Sequence, residues 1–357
     1  MDSTKLPRRK GRGAAYNPAN RFEKHHVEED PSAYEYEALP SRILTETFED
    51  STRQILAKND SPDISFTYSL NPYRGCEHGC IYCYARPSHQ YLGFSAGLDF
   101  ETKIMVKQDA PALLEQVFRK KSWKPQVIGL SGNTDCYQPL ERKFKLTRQV
   151  LEMMAKYQNP VGVITKNQLV TRDLDVLQEL AKSQLVVVLM SVTSLKDDLI
   201  NSMEPRTARP QARLKTIETL SKAGIPVGVM VAPIIPGLTH EEMPEIMKAA
   251  REHGAQVAGY NILHLTEVGK ELFLHWLDEE QPMRAEKVRH RMVDMRGETM
   301  IDHRFGFRMR GDGIWAETIR NLFYATRQKL GYAANFPSLR TDLFRVPPQE
   351  GDQLRLF

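Results

Sequence analysis

The sequence predicts an α/β protein built on a partial (β/α)6 barrel of the TIM type. Short apolar runs alternate with amphipathic helical stretches over residues 65–265, which gives six units. Runs without polar interruption are typical of parallel strands covered on both faces, and each run is followed by a helix, as parallel pairing requires. With 357 residues, of which 41% are hydrophobic, the chain can bury one large core of this kind.

Each predicted strand is a run of β-branched and other apolar residues. The six runs are 65–71, 126–132, 161–166, 185–192, 225–233 and 257–263. Pro, Thr or Asp opens several of the stretches between them and Gly closes several, which predicts helices near 111–121, 141–157, 171–182, 209–223 and 240–253. Functional residues of such barrels gather at the carboxyl ends of the strands, so a site is expected just after these runs.

The segments on either side of the barrel differ from it in character. Residues 1–60 form a basic, polar arm without a sustained apolar period, which predicts extended or partly disordered chain. Its cations between Lys5 and Arg12 fit either a solvated tail or a nucleic-acid contact. The other predicted divisions are a core at 61–270, a helical extension at 271–345 with helices near 282–298 and 315–330, and a flexible tail at 346–357.

Charge and cysteine content exclude several classes of protein. The 49 Lys and Arg against 45 Asp and Glu give a net charge of +4, which permits a nucleic-acid partner without demanding one. No apolar run is long enough to span a membrane, and the N-terminus lacks the apolar core of a secretory signal, so we expect a cytoplasmic protein. Four cysteines are too few for a disulfide framework, and clustered thiols in that compartment indicate metal or redox chemistry.

Three of the four cysteines lie in one short loop after the first predicted strand. They are Cys76, Cys80 and Cys83, with the spacing C-x3-C-x2-C. A structural zinc site usually takes four ligands in paired modules, and His78 and His89 do not complete such a pair, although zinc stays an alternative. An iron-sulfur cluster accepts three thiolates and leaves one iron open for another ligand. Gly75 and Gly79 beside the first two cysteines fit a crowded loop that needs positive φ or close backbone approach.

The cysteine spacing, with an aromatic residue before the last ligand, resembles the signature of the radical SAM superfamily. The stretch "CEHGCIYCYA" resembles in particular the spore photoproduct lyase group, as do "VITKN", "MSVTS", "EPRTA" and "VAPIIPGLT" in the same order. The resemblance covers about residues 65–265. It implies a [4Fe-4S] cluster held by the three loop cysteines, with S-adenosylmethionine on the open iron. Cleavage of that cofactor would give a 5'-deoxyadenosyl radical that abstracts hydrogen from a substrate.

The same resemblance implies contacts with S-adenosylmethionine. Tyr82, at the aromatic position of the motif, would pack near the adenine. Lys166, Ser191 and Thr134, at the ends of predicted strands, match positions that contact the cofactor. An ammonium suits its carboxylate, and hydroxyls suit its ribose or amino group. The alternative for each of the three is an ordinary polar residue at a strand end.

Two further residues are candidates for hydrogen-atom transfer. Tyr84 matches a tyrosine of the lyase group that takes part in a hydrogen-atom relay, and the alternative is simple packing beside the cluster. The hydrogen-donating cysteine of that group aligns with Gly132, which puts the spore-photoproduct reaction itself in doubt. Cys136, four residues later, is either a displaced donor or a buried small hydrophobic residue.

The last residues of the chain form a second motif, Q-L-x-L-F. Its specified positions are Gln353, Leu354, Leu356 and Phe357. The motif resembles the peptide by which bacterial DNA polymerases and repair proteins dock on the β sliding clamp, in which apolar side chains fill a preformed groove. The alternative is a terminal peptide packed on its own domain. Clamp binding would bring the protein to DNA and make Arg304, Arg308 and Arg310 candidate phosphate contacts.

These features together predict a radical SAM enzyme that acts on DNA by a lyase-type lesion repair. One alternative is a radical SAM enzyme whose substrate is RNA, a peptide or a metabolite. Another is a clamp-associated iron-sulfur protein for binding or electron transfer that does not cleave S-adenosylmethionine. The expected partners are DNA, the β sliding clamp and an electron donor such as flavodoxin or ferredoxin, with no membrane.

Overall fold

A computed structural model describes residues 10–23, 43–64 and 66–348 of the chain. In this part of the chain the strands are β1 (Glu46–Glu49), β2 (Leu56–Lys58), β3 (Tyr68–Leu70), β4 (Tyr73–Arg74), β5 (Lys103–Val106), β6 (Ile128–Leu130), β7 (Val161–Thr165), β8 (Val186–Ser191), β9 (Val227–Ile234) and β10 (Val257–Ile262). The first helices are α1 (Leu98–Thr102), α2 (Ala110–Phe118), α3 (Glu141–Phe144), α4 (Leu146–Tyr157), α5 (Leu174–Lys182) and α6 (Asp197–Met203). The remaining helices are α7 (Pro210–Lys222), α8 (Met243–Glu252), α9 (Glu267–Glu280), α10 (Pro282–Arg296) and α11 (Gly313–Lys329).

The main sheet confirms the predicted α/β architecture. Its strand order is β10-β9-β8-β7-β6-β3-β2, and each of the six predicted runs supplies one of its parallel strands. The extra strand, β2, pairs antiparallel with β3 and covers that edge of the sheet. The order places β3 and β10 apart, so the six parallel strands form a partial barrel.

The six parallel strands are short, and none of their residues is exposed, as expected for a sheet with both faces covered. Val186 and Val188 of β8, for example, have no exposed surface, and they join one large apolar cluster with residues of α4, α5, α7 and α8. Full burial of one such side chain contributes about 1.5–3 kcal/mol. The predicted helix over 141–157 is divided in two at Lys145, whose φ of 54° ends α3 before α4 begins.

A second, three-stranded sheet was not predicted. Its order is β1-β5-β4, and β4 leads directly into the cysteine loop. Segments of the predicted arm belong to the core: β1 and β2 are strands, and Arg12 is 3% exposed. The Arg12 guanidinium donates to the carbonyls of Glu101 (2.7 Å) and Ile43 (2.8 Å). Residues 10–23 contain no helix or strand, as expected for extended chain, whereas residues 43–60 contain the two strands β1 and β2. The rest of the arm lies outside the described residues, and the division at residue 60 stays a prediction.

Helices dominate the chain after the barrel. The predicted helices near 282–298 and 315–330 correspond to α10 and α11, and α9 is an additional one. Helix α11 packs on the last strand, where the rings of Tyr260 and Phe323 have centroids 4.5 Å apart. No helix in the described ranges is long and apolar enough to cross a membrane. The clamp-binding motif at 353–357 lies outside the described residues and stays a prediction.

Candidate active site

The cysteine loop follows β4 and is shaped by two glycines that no other residue could replace without strain. Gly75 has a φ of 82°, and a Cβ there would approach a ring carbon of His89 to 2.8 Å. Gly79 has a φ of 67°, and a Cβ there would approach the Glu101 carboxylate to 2.7 Å. Both positions combine the left-handed backbone with close packing, which is the combination that favours glycine. The sequence-based reason for these glycines is thus confirmed.

The three predicted ligands are free thiols that share one electrostatic environment. None of the three cysteines is in a disulfide. Burial and the Glu204 carboxylate raise the pKa of the Cys80 thiol, and the ammonium of Lys166 opposes that rise. Burial also raises the pKa of Cys83, and Arg86 and Lys166 oppose it. Three sulfur atoms that influence one another beside two cations are a donor set that fits an iron-sulfur cluster bound by thiolates.

The two histidines near the loop are engaged elsewhere. Nδ1 of His78 lies 3.4 Å from the Asp135 carboxylate, and its Nε2 lies 3.1 Å from the amide nitrogen of Asn167. Nε2 of His89 lies 2.8 Å from the Lys103 carbonyl oxygen. Among the residues that the structure describes, no group of three or more His, Cys, Asp or Glu converges on a single metal ion. Both ring nitrogens of His78 are therefore next to other residues of the chain, whereas Nδ1 of His89 has no hydrogen-bond partner among the described residues.

Asp135, which sequence reasoning missed, connects the cysteine loop to the end of β7. Its carboxylate accepts hydrogen bonds from the Lys166 backbone N–H (2.8 Å) and the Thr165 hydroxyl (2.7 Å) and pairs with His78. Burial alone would raise the pKa of Asp135, but His78 and these hydrogen bonds lower it to about 2. Burial would lower the pKa of His78, yet Asp135 and Cys76 raise it to about 10. The two form a buried ion pair.

Glu204 forms a second connection, between the loop and the end of β8. It is 1% exposed and accepts hydrogen bonds from the hydroxyls of Tyr82 and Thr193 (2.6 Å for the latter). Its other oxygen accepts from Arg213, whose guanidinium also donates to the Ser191 carbonyl (3.0 Å). Tyr82 is therefore held by a carboxylate, with its ring buried beside the cysteines.

Glu101 forms a third connection, on the side of the N-terminal segment. Arg86 and Glu101 are completely buried and form an ion pair of 2.6 Å. The same guanidinium donates to the Cys80 carbonyl (2.9 Å), and the carboxylate accepts from the backbone N–H groups of Gly13 and Ala14 (both 2.9 Å). Residues 10–23 are thereby fixed against the cysteine loop.

The polar residues predicted at the strand ends lie beside the loop, and their side chains differ in the hydrogen bonds that they form. The Thr134 hydroxyl donates to the Tyr73 carbonyl (3.1 Å), and its backbone N–H donates to Asn71 (3.2 Å). The Lys166 ammonium lies 3.4 Å from the Ala232 carbonyl and is close enough to Cys80 to affect its pKa. Ser191 is buried at the end of β8. Lys166 is the best placed of the three for an anionic group, and the cofactor contacts stay predictions.

The two candidates for hydrogen transfer lie in different environments. The side chain of Tyr84 is half exposed, and its hydroxyl donates to the carbonyl of Gly132. Cys136 is completely buried in the main apolar core, and its backbone N–H donates to the Ser131 hydroxyl (3.0 Å). Burial raises the pKa of the Cys136 thiol well above its usual range. This is the environment of a packing cysteine, and its donor role stays a prediction.

The sequence contains signals for two of the three buried carboxylates that the sequence analysis did not identify. Glu204 belongs to "EPRTA", one of the stretches that carry the family resemblance, and Asp135 directly follows Thr134, a predicted cofactor contact. Glu101 and Arg86 carry no comparable signal, because their partners lie on other elements. Each of the three carboxylates is more than 40 residues from at least one of its partners and becomes recognisable only in the folded chain.

Comparisons with known proteins agree with this arrangement. The model of the radical SAM superfamily matches residues 70–250. An uncharacterised protein of Mycobacterium tuberculosis (strain H37Rv) is 35% identical over 228 residues, 63% of this chain and 67% of the relative. An uncharacterised protein of Methanocaldococcus jannaschii is 29% identical over 175 residues, 49% of this chain and 63% of the relative.

Solved structures of spore photoproduct lyase share the fold. One, complexed with dinucleoside spore photoproduct, superposes with a TM-score of 0.56 at 17% identity and covers 80% of each chain. A variant with bound AdoMet and dinucleoside spore photoproduct gives 0.56 at 16% identity, again over 80% of each chain. At these identities the likeness establishes the fold alone.

Proposed function

The chain belongs to the radical SAM superfamily, and we propose that this enzyme acts on DNA as a lesion-processing lyase. The observation that carries the proposal is the fold shared over 80% of both chains with a lyase complexed with dinucleoside spore photoproduct. Family membership favours an enzyme over the alternative of an electron-transfer protein. The charge and aromatic content of the surface beside the cysteine loop favour DNA among the possible substrates.

The residues of the cysteine loop have defined tasks in this proposal. Cys76, Cys80 and Cys83 would hold a [4Fe-4S] cluster, and the connections to Asp135, Glu204 and Glu101 keep the loop in place. When bound, the cluster and S-adenosylmethionine would supply a 5'-deoxyadenosyl radical. In this chain, Lys166 would hold the carboxylate of the cofactor and Tyr82 would face its adenine, with Ser191 and Thr134 beside them.

A surface of arginines and aromatic rings borders Tyr84. The Arg308 guanidinium stacks on the ring of Phe305 (4.7 Å to the centroid), and Arg304 stacks on Phe307 (4.4 Å). Phe305 is 56% exposed. Burial and Cys83 raise the pKa of the Tyr84 hydroxyl, and the nearby Arg308 guanidinium opposes that rise. Exposed rings stack on nucleobases and arginines contact phosphates, so this surface supports a nucleic-acid substrate.

Tyr84 is the better placed of the two candidate hydrogen donors. Its side chain is half exposed and its hydroxyl donates to the Gly132 carbonyl, so a substrate radical could reach it. Cys136 would have to leave the apolar core to do the same. We therefore expect deuterium from solvent-exchangeable sites to reach the product in the Cys136→Ala protein and to be lost or slowed in Tyr84→Phe.

The test is anaerobic incubation with S-adenosylmethionine, a reductant and DNA that carries defined lesions, followed by mass analysis of nucleosides. We expect 5'-deoxyadenosine and loss of one lesion with the wild-type protein, and neither with Cys83→Ala. Cys136→Ala is the matched control, because it removes a thiol outside the loop. Production of 5'-deoxyadenosine with no change in any nucleoside would favour RNA, a peptide or a metabolite as substrate. A cluster spectrum unaffected by S-adenosylmethionine would contradict the enzyme itself.

A further inference from the structure

Arg296, the last residue of α10, is a buried cation without a hydrogen-bond acceptor. Its side chain is 6% exposed. No described residue accepts a hydrogen bond from Nε, Nη1 or Nη2 of its guanidinium. Burial lowers the pKa of Arg296 only to about 10, and Asp302 opposes even that change, so the group stays charged at neutral pH. A buried charge that lacks a partner is costly, and native structures rarely keep one without a reason.

The other buried arginines of the described chain have hydrogen-bond acceptors, which for Arg12 are two carbonyl groups and for the other two are carboxylates. Arg86 pairs with Glu101, and Arg213 pairs with Glu204. The carboxylate that acts on the pKa of Arg296 is that of Asp302. That carboxylate already forms an ion pair with Arg304, with 2.8 Å between Nη2 and Oδ2. The guanidinium nitrogens of Arg296 thus donate to no acceptor of the described chain, and because they are buried, an outside acceptor reaches them only when a covering group moves.

A second unpartnered group lies beside it. His264 follows β10, at the carboxyl edge of the barrel, and no described residue bonds its buried Nδ1. Its ring meets that of His303 edge to face, with centroids 6.4 Å apart. Burial, followed by the charges of Arg296 and Arg308, lowers the pKa of His264 to about 4. The imidazole is therefore neutral at pH 7 and can donate one hydrogen bond.

Both groups belong to one region of the fold, because the charges of Arg296 and Arg308 act on His264 at the carboxyl edge of the barrel. We infer that Arg296 and His264 form a binding site for a phosphate-type oxyanion, namely a phosphodiester of the DNA substrate. The guanidinium fork matches two oxygens of such a group. The identity of the ligand as DNA rests on the proposed function, whereas the oxyanion site rests on the unpartnered donors.

The charge of the ligand provides the first test. Binding of the dinucleotide thymidylyl-thymidine is compared with that of its methylphosphonate analogue, which keeps the shape of the linkage but has no charge. We expect the wild-type holoenzyme to bind the charged form about 10- to 100-fold more tightly, and Arg296→Met to bind both equally. Arg289→Met is the matched control on the same helix, because Arg289 is paired with Asp278 at 2.5 Å. Equal preference for the charged form in wild type and Arg296→Met would overturn the inference.

Stability provides a test that does not depend on DNA. We expect Arg296→Met to raise the unfolding midpoint of the ligand-free holoenzyme, because it removes a buried charge without a partner. Inorganic phosphate should raise the midpoint of the wild type and of Arg289→Met but not of Arg296→Met. Arg296→Lys keeps the charge without the fork and should respond less than wild type. A midpoint lowered in Arg296→Met, with the phosphate response retained, would mark a structural arginine.

The two tests separate the site from the substrate. A phosphate response that depends on Arg296, without binding of either dinucleotide, would keep the oxyanion site and contradict DNA as the substrate. Lesion turnover that is unchanged in Arg296→Met, with no preference for the charged linkage, would keep the proposed function and contradict the site.

Discussion

Replacement of Glu204 by Gln tests whether the buried carboxylates hold the cysteine loop. Both oxygens of Glu204 are occupied, one by the hydroxyls of Tyr82 and Thr193 and the other by Arg213. Glutamine has nearly the same shape but no charge. Glu204→Gln therefore leaves Arg213 as an uncompensated buried cation, and the amide group brings donors to a position where only acceptors are needed.

The expected loss of unfolding free energy follows from the pKa of Glu204. Burial alone would raise it, but Arg213, Lys166 and the hydrogen bonds from Thr193 and Tyr82 hold it at about 2 instead of 4.5. A difference of this size corresponds to about 3 kcal/mol of stability at pH 7. Loss of one partner from a buried ion pair typically costs about 3–5 kcal/mol, which agrees. We expect Glu204→Gln to lower the free energy of unfolding by about 3 kcal/mol.

The contribution of Glu204 to the free energy of unfolding decreases as the pH falls. Because the pKa of Glu204 is lower in the folded state, its contribution is present above about pH 4.5 and is lost as the pH falls toward about 2. Urea unfolding of both proteins, from pH 7 down to pH 3, should therefore show the gap between wild type and Glu204→Gln narrowing in acid. Glu218→Gln is the control, since hydrogen bonds from Lys215 and Lys222 also lower the pKa of Glu218 to about 2, but on the solvent-exposed surface. Equal losses in the two variants, or a gap independent of pH, would refute this reasoning.

Three more predictions concern the loop and the ends of the chain. Cys83→Ala should lose most of the bound iron and its visible absorption, whereas Cys136→Ala should keep both. Gly13→Ala should loosen the cysteine loop, because a Cβ at residue 13 would lie 1.8 Å from the Gly79 carbonyl oxygen. Faster tryptic cleavage and lower iron retention would show this. Gly162→Ala is the control, because a Cβ there meets no atom closer than 4.0 Å. Deletion of 353–357 should abolish binding to immobilised β sliding clamp and leave the yield of 5'-deoxyadenosine unchanged; retained binding would contradict the clamp hypothesis.

The barrel could be predicted because its signal is local and repeated. Each parallel strand is an apolar run whose residues are buried whichever strand it pairs with. The strand could therefore be predicted without knowledge of its neighbour in the sheet. The runs at 161–166 and 185–192 differ from β7 and β8 by at most one residue at each end. The cysteine loop was predictable for a similar reason, since its ligands lie within eight positions of one another.

The second sheet and the N-terminal segment could not be predicted in this way. Strand β1 reads ETFE and is mostly exposed, so it has no apolar run, and it becomes a strand only because β5 offers it a parallel partner. Arg12 looked like part of a basic tail, but its guanidinium is buried against carbonyls from two distant segments. A cluster of cations in a polar segment carries the same signal whether it is solvated or buried.

The buried charges explain how a loop rich in Gly and Cys can keep one shape. Such a loop has few apolar side chains to pack, so polar connections must hold it, and carboxylates are strong acceptors for its hydrogen bonds. A bare carboxylate would however repel the thiolates, as the effect of Glu204 on the pKa of Cys80 shows. Each carboxylate therefore needs a cation, and Arg213, Arg86 and His78 supply one apiece. By the same logic Arg296, a buried cation without a hydrogen-bonded acceptor, is the basis for the anion that we infer to arrive with the substrate.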